Sequence, residues 1–457
     1  MKLSNSSENK VGIVKLSLWQ SSAVSRTITV LVLGYLMIYC TDTLHVPAAG
    51  VSLILVFSKF IDGFTDAIAG FIVDKTKTRF GTGRPYEVFI VFLWLATWLL
   101  YSCPPSFSTI AKYIWIFCMY VLANAVCTTF LIANVTPYAV RAFKHGQIVK
   151  VTSYGSIYTM LVAIAFNVIF PSMMQAAAGS PSAWSRMVGM MAVPLAAIGL
   201  LRMIFIKEQY EVGSSTTKKE GIKFSDAITV LKSNPYIFLI ALMTLVFNFV
   251  TNMGVNSYYF TYIVGNLGLM GVMSAITIVT IPVPFLFPKL IRKFSVFRLM
   301  QFGFILSGLG GLVNFFAGAN MPLLMVGSLL GGIGTVPASM LTALIVIQCA
   351  DFNEWNGNQR MEGTMSSVIG LAGKIGAAVG AGALGVILQF SGYTGVAETM
   401  PGSAYLVIRL LYSLVPMALY FITALTLRRY KKLEDMTPQI KADNEARRNA
   451  ASDAVSE

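Results

Sequence analysis

Apolar residues along this chain come in long unbroken runs, not in alternating stripes. The runs are about 20 residues each and are separated by short polar turns, and about 20 apolar residues are what a helix needs to cross a bilayer core. They predict twelve helices, over 20–42, 47–73, 86–104, 109–137, 151–174, 186–206, 235–262, 267–288, 297–318, 322–348, 363–390 and 403–427. The first run passes into the second through a short turn with no small-residue cleavage site, so it is expected to remain as a membrane helix. One long polar interruption, 207–234, divides the spans six and six. The predicted fold class is therefore all-α: a polytopic membrane protein of two six-helix bundles, 1–206 and 235–428, joined by a central cytoplasmic linker at 207–234. The tail at 429–457 follows a basic opening, Arg428-Arg-Tyr-Lys-Lys, and reads as a solvated segment without an apolar stripe.

Composition excludes the soluble classes. Only 12% of the 457 residues are charged, against about 25% in soluble proteins, and mean hydropathy is +0.69. The net charge of +14 is a topology signal, not a nucleic-acid footprint. Even-numbered turns hold Lys75, Lys77, Arg79 and Arg84, then Arg141, Lys144 and Lys150, then Lys207 to Lys232, then Lys289, Arg292, Lys293 and Arg298. The opposite turns hold only Lys112 and Arg186. The positive-inside bias predicts both termini in the cytoplasm, and the chain is expected in the inner membrane with the lipid bilayer as partner, as a monomer. Cys40, Cys103, Cys118, Cys127 and Cys349 show no CxxC spacing, which suggests neither a disulfide framework nor a metal site. His45 and His145 lie in connecting regions, with no nucleophile constellation around them, so an enzyme is not expected.

The chemistry lies in the few polar groups inside the apolar runs. Asp62 and Asp66, read as the only acids within the spans, are four residues apart and share one helical face. A charge in hydrocarbon costs at least about 2.5 kcal/mol on insertion scales, so such a pair must face protein, water or a cation. The bland alternative is a structural ion pair with Lys59, one turn earlier. Arg26 and Lys374 are the other cations deep in spans, whereas Arg202 and Arg409 lie near helix ends, where Arg202 can snorkel. Thr129, Tyr154, Asn248, Asn252 and Asn256 add uncharged lining, the asparagines recurring every four residues. Such a stripe lines a wet cavity or bonds between helices.

Three stretches carry a resemblance. Tyr35-Leu-Met-Ile-Tyr-Cys-Thr-Asp42 closes the first span, Lys59-Phe-Ile-Asp62-Gly-Phe-Thr-Asp66 runs on to Asp74-Lys-Thr-Lys-Thr-Arg79-Phe-Gly81, and Asp351-Phe-Asn-Glu354-Trp355 runs on to Arg360-Met-Glu362 and then Lys374. Together they resemble the glycoside-pentoside-hexuronide:cation symporters, the melibiose permease group of the major facilitator superfamily. The resemblance implies the major facilitator fold, with Asp62, Asp66 and Thr65 as cation ligands and Lys374 linking cation and sugar sites. It also implies that Lys59, Asp351, Glu354, Arg360 and Glu362 belong to coupling and gating. Three positions depart from the family: Arg26 stands where it has a sugar-binding Asp, Thr129 where it has Asp or Asn, and Gly155 where many members have Arg. The family's threonine ligand in the fourth span would fall near Val126.

These features predict a cation-coupled symporter importing a sugar, a glycoside or an anionic sugar derivative such as a hexuronide. Arg26, Lys374, Thr129, Tyr154, Asn248 and Asn252 are expected at the substrate. No cofactor is expected, and the coupling ion is H+ or Na+, with the lean toward H+ because the fourth span offers no evident third oxygen ligand. The alternative is a non-transporting sugar sensor or scaffold that keeps the fold but not the cycle.

Overall fold

In a computed structural model of the chain, residues 11–76, 78–210, 234–280, 282–357, 362–395 and 400–456 are described. Every named element among them is helical, and the Cα packing sorts the chain into two compact units. Unit 1 holds Met1–Lys218 with Asn266–Ala275 and Gly385–Pro401, and unit 2 holds Lys219–Gly265, Ile276–Leu384 and Gly402–Glu457.

Unit 1 begins with α1, Ile13–Leu33, which bends by 42° into a short turn ending in a π-helical stretch, Tyr39–Thr43. Next come α2, Ala48–Lys75, and α3, Phe89–Leu100, the latter led by a 3-10 turn at Arg84–Val88. A single span of 34 residues then comprises α4 (Thr109–Tyr120), a π-helical stretch (Val121–Cys127), α5 (Thr128–Ala133) and α6 (Val135–Ala142). It is followed by α7, His145–Ala177, and α8, Pro181–Phe205. α1 packs on α7 and α8, and Gly155 explains one close approach: a Cβ there would lie 2.2 Å from Gln20 Nε2. Gln20 reaches across from α1 into the space beside Gly155, its amide donating to Val151 O at 3.2 Å.

In unit 2 a left-handed Gly254 (φ +73) separates α9, Pro235–Asn252, from α10, Val255–Tyr262. After α11 (Leu269–Ile276), which belongs to unit 1 up to Ala275, the order continues with α12 (Val283–Lys293), α13 (Val296–Ala317), α14 (Met321–Trp355) and α15 (Glu362–Phe390), whose end from Gly385 onward belongs to unit 1. It closes with α16 (Gly402–Tyr412), α17 (Leu414–Thr426) and α18 (Lys431–Ser456). The unit's core joins Ile237, Met300, Phe304, Leu341, Ile345 and Tyr430, with bare glycine backbone letting α13 and α14 close up: a Cβ on Gly303 would sit 2.5 Å from Gly334 O.

Among the described residues nine helices are long and apolar enough to cross a membrane, or ten if the bent pair in α1 counts as one. Of the twelve expected spans, the third falls short because its first turn is 3-10, and the eighth because α11 and α12 are separate helices. Phe390 at 88%, Val193 at 76% and Met190 at 72% exposure belong on a lipid-facing surface, since water would penalise them.

Two expectations are corrected. Glu87, at the start of the third span, is fully buried and is a third membrane-embedded acid, and Arg202 does not snorkel: its Nη1 meets Glu87 Oε1 at 3.1 Å, its Nε donates to Trp19 O at 2.5 Å, and its guanidinium lies 4.5 Å over the Trp19 ring. Asn134 Nδ2 also donates to Glu87 Oε1 at 3.3 Å. The physical reason is pairing: a helix-end arginine stays buried when a carboxylate and a carbonyl satisfy it. The tail is likewise no solvated segment. Tyr430, Leu433, Thr437, Ile440 and Asn444 are buried at three- and four-residue spacing, so α18 does carry a stripe, and it packs on α14. Trp355 Nε1 donates to Asp443 Oδ2 at 2.8 Å, and both Glu434 oxygens accept from the first amides of α13, Val296 at 2.6 Å and Phe297 at 3.0 Å.

Candidate cation and substrate sites

α2 carries Asp62 and Asp66 one turn apart, and α5 brings Thr129 to both. The Thr129 hydroxyl lies 3.1 Å from Asp66 Oδ1 and 3.3 Å from Asp62 Oδ1. A hydroxyl has one proton and two lone pairs, so it can donate to one carboxylate at a time. The other carboxylate oxygen then faces an oxygen lone pair, an arrangement that a proton on one acid or a cation between the three oxygens relieves. Lys59 does not supply that cation: its Nζ is 4.0 Å from Asp62 Oδ2, beyond hydrogen-bond length, with both side chains partly exposed. The structural ion pair is therefore a loose one.

The reason Thr129 faces α2 is the π-helical stretch Val121–Cys127 just before it. Each residue of an α-helix turns the next side chain by about 100°, so the extra residue of a π-bulge re-aims everything that follows, and such bulges concentrate at functional sites. The resemblance places the family's threonine near Val126; the hydroxyl that meets the carboxylates here is that of Thr129, three residues further on. Thr65 stands on the same face of α2, its hydroxyl donating to Ala125 O at 2.6 Å, with Asp62 O of its own helix the alternative acceptor at 3.1 Å, which ties α2 to the π-stretch. Thr129, expected among the substrate groups, is thus placed on the carboxylate pair. Asn124, in the same π-stretch, has its amide nitrogen buried with no hydrogen-bond partner among the described residues.

Arg26 is half-buried in α1, and among the described residues no ion pair joins it to Asp62 or Asp66. In unit 2, Lys374 stands exposed on α15. Its neighbour Gly373 abuts Asn248 of α9, where a Cβ would come within 3.2 Å of Nδ2. Asn248 and Asn252 each return an amide proton to the carbonyl one turn back, Thr244 O and Asn248 O, both at 2.9 Å. The stripe they begin does not continue as one face, because Gly254 breaks the helix before Asn256. Asp351 is buried and Glu354 half-buried at the end of α14, where Asn444 Nδ2 holds Asp351 O at 2.9 Å. Arg360 and the side chains of Tyr154 and Glu362 lie outside the described residues.

Long apolar helices with a carboxylate pair inside one of them make this a polytopic helical membrane protein. The model of the family "MFS/sugar transport protein" matches residues 22–433, and the chain belongs to that family, within its glycoside-pentoside-hexuronide group. It is similar to the isoprimeverose transporter of Lactiplantibacillus pentosus, 25% identical over 93% of this chain and 90% of the relative. It is also similar to a putative sulfoquinovose importer of Escherichia coli K12, 23% identical over 88% and 86%. Among solved structures a nucleoside transporter superposes with a TM-score of 0.63 at 13% identity, covering 91% of this chain and 99% of that one. The fold is the all-α major facilitator fold, and the protein is a multi-pass transporter, not an enzyme.

Proposed function

We propose that this protein is a cation-coupled symporter that imports a sugar or sugar derivative by alternating access, with Asp62, Asp66 and Thr129 holding the coupling ion. The observation that carries the proposal is the single Thr129 hydroxyl shared by the two carboxylates. Binding a cation there offsets one of the pair's two negative charges and lowers the cost of enclosing it in a low-dielectric interior. Coupling follows when substrate binds that cation-loaded state better. Thr129 supplies the oxygen from the fourth span whose absence favoured H+, so the ligand set now supports Na+, a hard ion suited to oxygen donors, as well as a proton.

The relatives named above carry sugars by their names, which supports a sugar as cargo. Arg26, half-buried in a membrane helix with no carboxylate partner among the described residues, favours an anionic sugar, because a guanidinium pairs bidentately with carboxylate or sulfonate. The basic turns support an inner-membrane location with cytoplasmic termini. Competition uptake tests the cargo. Methyl glucuronide and sulfonated glucose are expected to block uptake of a labelled glycoside. Arg26→Gln is expected to weaken that block about tenfold or more, the loss of a charge-assisted bidentate pair, while leaving neutral methyl glycosides as they were. Blocking by neutral glycosides alone would retire the anionic cargo.

A further inference from the structure

Gly385–Pro401 belongs to unit 1 although the chain on both sides of it belongs to unit 2. Its geometry is set by the way α15 ends. Gly392 N–H donates to Gln389 O and Tyr393 N–H to Leu388 O, both at 3.2 Å, with Gly392 at φ +80: a Schellman cap, which fixes the residue after the glycine in place. That residue is Tyr393. Its hydroxyl donates to Asp42 Oδ1 in the π-helical stretch that ends α1, and Thr41 Oγ1 donates to the same oxygen at 2.6 Å. Two glycines bring the backbone close on either side. A Cβ on Gly395 (φ +78) would lie 3.0 Å from Thr41 O, and one on Gly385 would lie 2.0 Å from Ser52 Oγ of α2. Beside the bond is a cavity of about 170 Å3 lined by Thr41, His45, Gln389, Tyr393 and Thr394 among others, which leaves the tyrosine room to swing out. His45, at φ 52, holds a left-handed backbone that a non-glycine residue keeps only where its neighbours impose it.

We infer that Asp42 and Tyr393 form a latch that holds the end of α15 and the turn after it, Gly385–Gly395, on unit 1 and has to open once in each transport cycle. The inference rests on the alternating-access reading above. A segment bonded to one unit and covalently continuous with the other cannot follow both when they rearrange, so either the cap at the end of α15 deforms or this hydrogen bond breaks. The bond is the weaker element, since the cap is held by backbone geometry and the latch by side chains. On the proposed orientation it lies at the external ends of α1, α2 and α15.

Ser52→Cys makes a reporter. Ser52 is fully buried and its hydroxyl has no partner among the described residues, so the replacement loses no hydrogen bond there. Whole cells carrying the full-length protein are treated with a membrane-impermeant maleimide, and labelling is resolved by peptide mass spectrometry to separate it from the exposed Cys118. Tyr393→Phe and Asp42→Asn are each expected to speed labelling at position 52 about tenfold, the equivalent of about 1.4 kcal/mol, with the buried Cys127 and Cys349 labelling at the parent rate. An unchanged rate in both variants would overturn the latch, and so would a parallel rise at Cys127 and Cys349, which would mean general loosening. The readout needs no transport: faster labelling in the variants of a protein that fails to accumulate sugar would reject the symport reading and keep the latch.

Discussion

Asp66→Asn is expected to abolish concentrative uptake while leaving sugar binding in place, and Asp62→Asn to do the same. One coupled charge moved through 100 mV is worth about 2.3 kcal/mol, a concentration ratio of roughly 50. With one carboxylate gone and the other held by the Thr129 hydroxyl, the variant is expected to lose its differential cation affinity between states, so it can equilibrate sugar but not concentrate it. The amide also removes the conflict at Thr129: its NH2 can donate to the hydroxyl oxygen while the hydroxyl proton serves the remaining carboxylate. The pair would then rest satisfied with no ion, and the fold should be retained. Substrate-induced thermal shift in detergent measures binding and vesicle uptake measures accumulation. Parent-level accumulation by both variants would remove the carboxylates from coupling.

The second large effect is on stability. Glu87→Ala leaves the Arg202 guanidinium, 2% exposed, without its carboxylate. Breaking a buried ion pair from one side costs about 3–5 kcal/mol, because the surviving charge stays desolvated. The variant is expected to melt well below the parent in detergent and to reach the membrane in reduced yield. Glu87→Leu combined with Arg202→Met should recover most of that loss, since neither charge then remains. A double variant no more stable than Glu87→Ala would mean that the bonds of Arg202 to Trp19 O and of Glu87 to Asn134, not the pair itself, hold this end of unit 1 together.

The same two places show what could and could not be read from residues alone. The spans were legible because bilayer thickness imposes one length on every run, and the face shared by Asp62 and Asp66 because α2 is an uninterrupted helix. The contact of Thr129 with the carboxylates was not legible because a π-bulge has no local signature that hydrophobicity records: Val121–Cys127 is as apolar as its flanks, yet it re-aims every side chain beyond it. Glu87 was passed over because it adjoins the basic turn, where a charge has an easy route to water. Only the approach of α8, more than a hundred residues away in sequence, shows that the route is closed. The stripe on α18 was present in the sequence, as Tyr430, Leu433 and Ile440, but was diluted by the charges between them. Gly254, which ends the asparagine periodicity, was visible as a glycine; its left-handed geometry was not.

The most direct test of the shared-hydroxyl cation site is ion-driven uptake by purified protein in proteoliposomes, using whichever glycoside the competition panel selects. Inward gradients of Na+, Li+ or protons are imposed one at a time, and a set without any gradient is run beside them. Accumulation above equilibrium under at least one cation gradient, and none in its absence, is the predicted result. Equal uptake to equilibrium under every condition, or binding with no entry at all, would contradict it and leave Asp62, Asp66 and Thr129 as a polar knot between two helices.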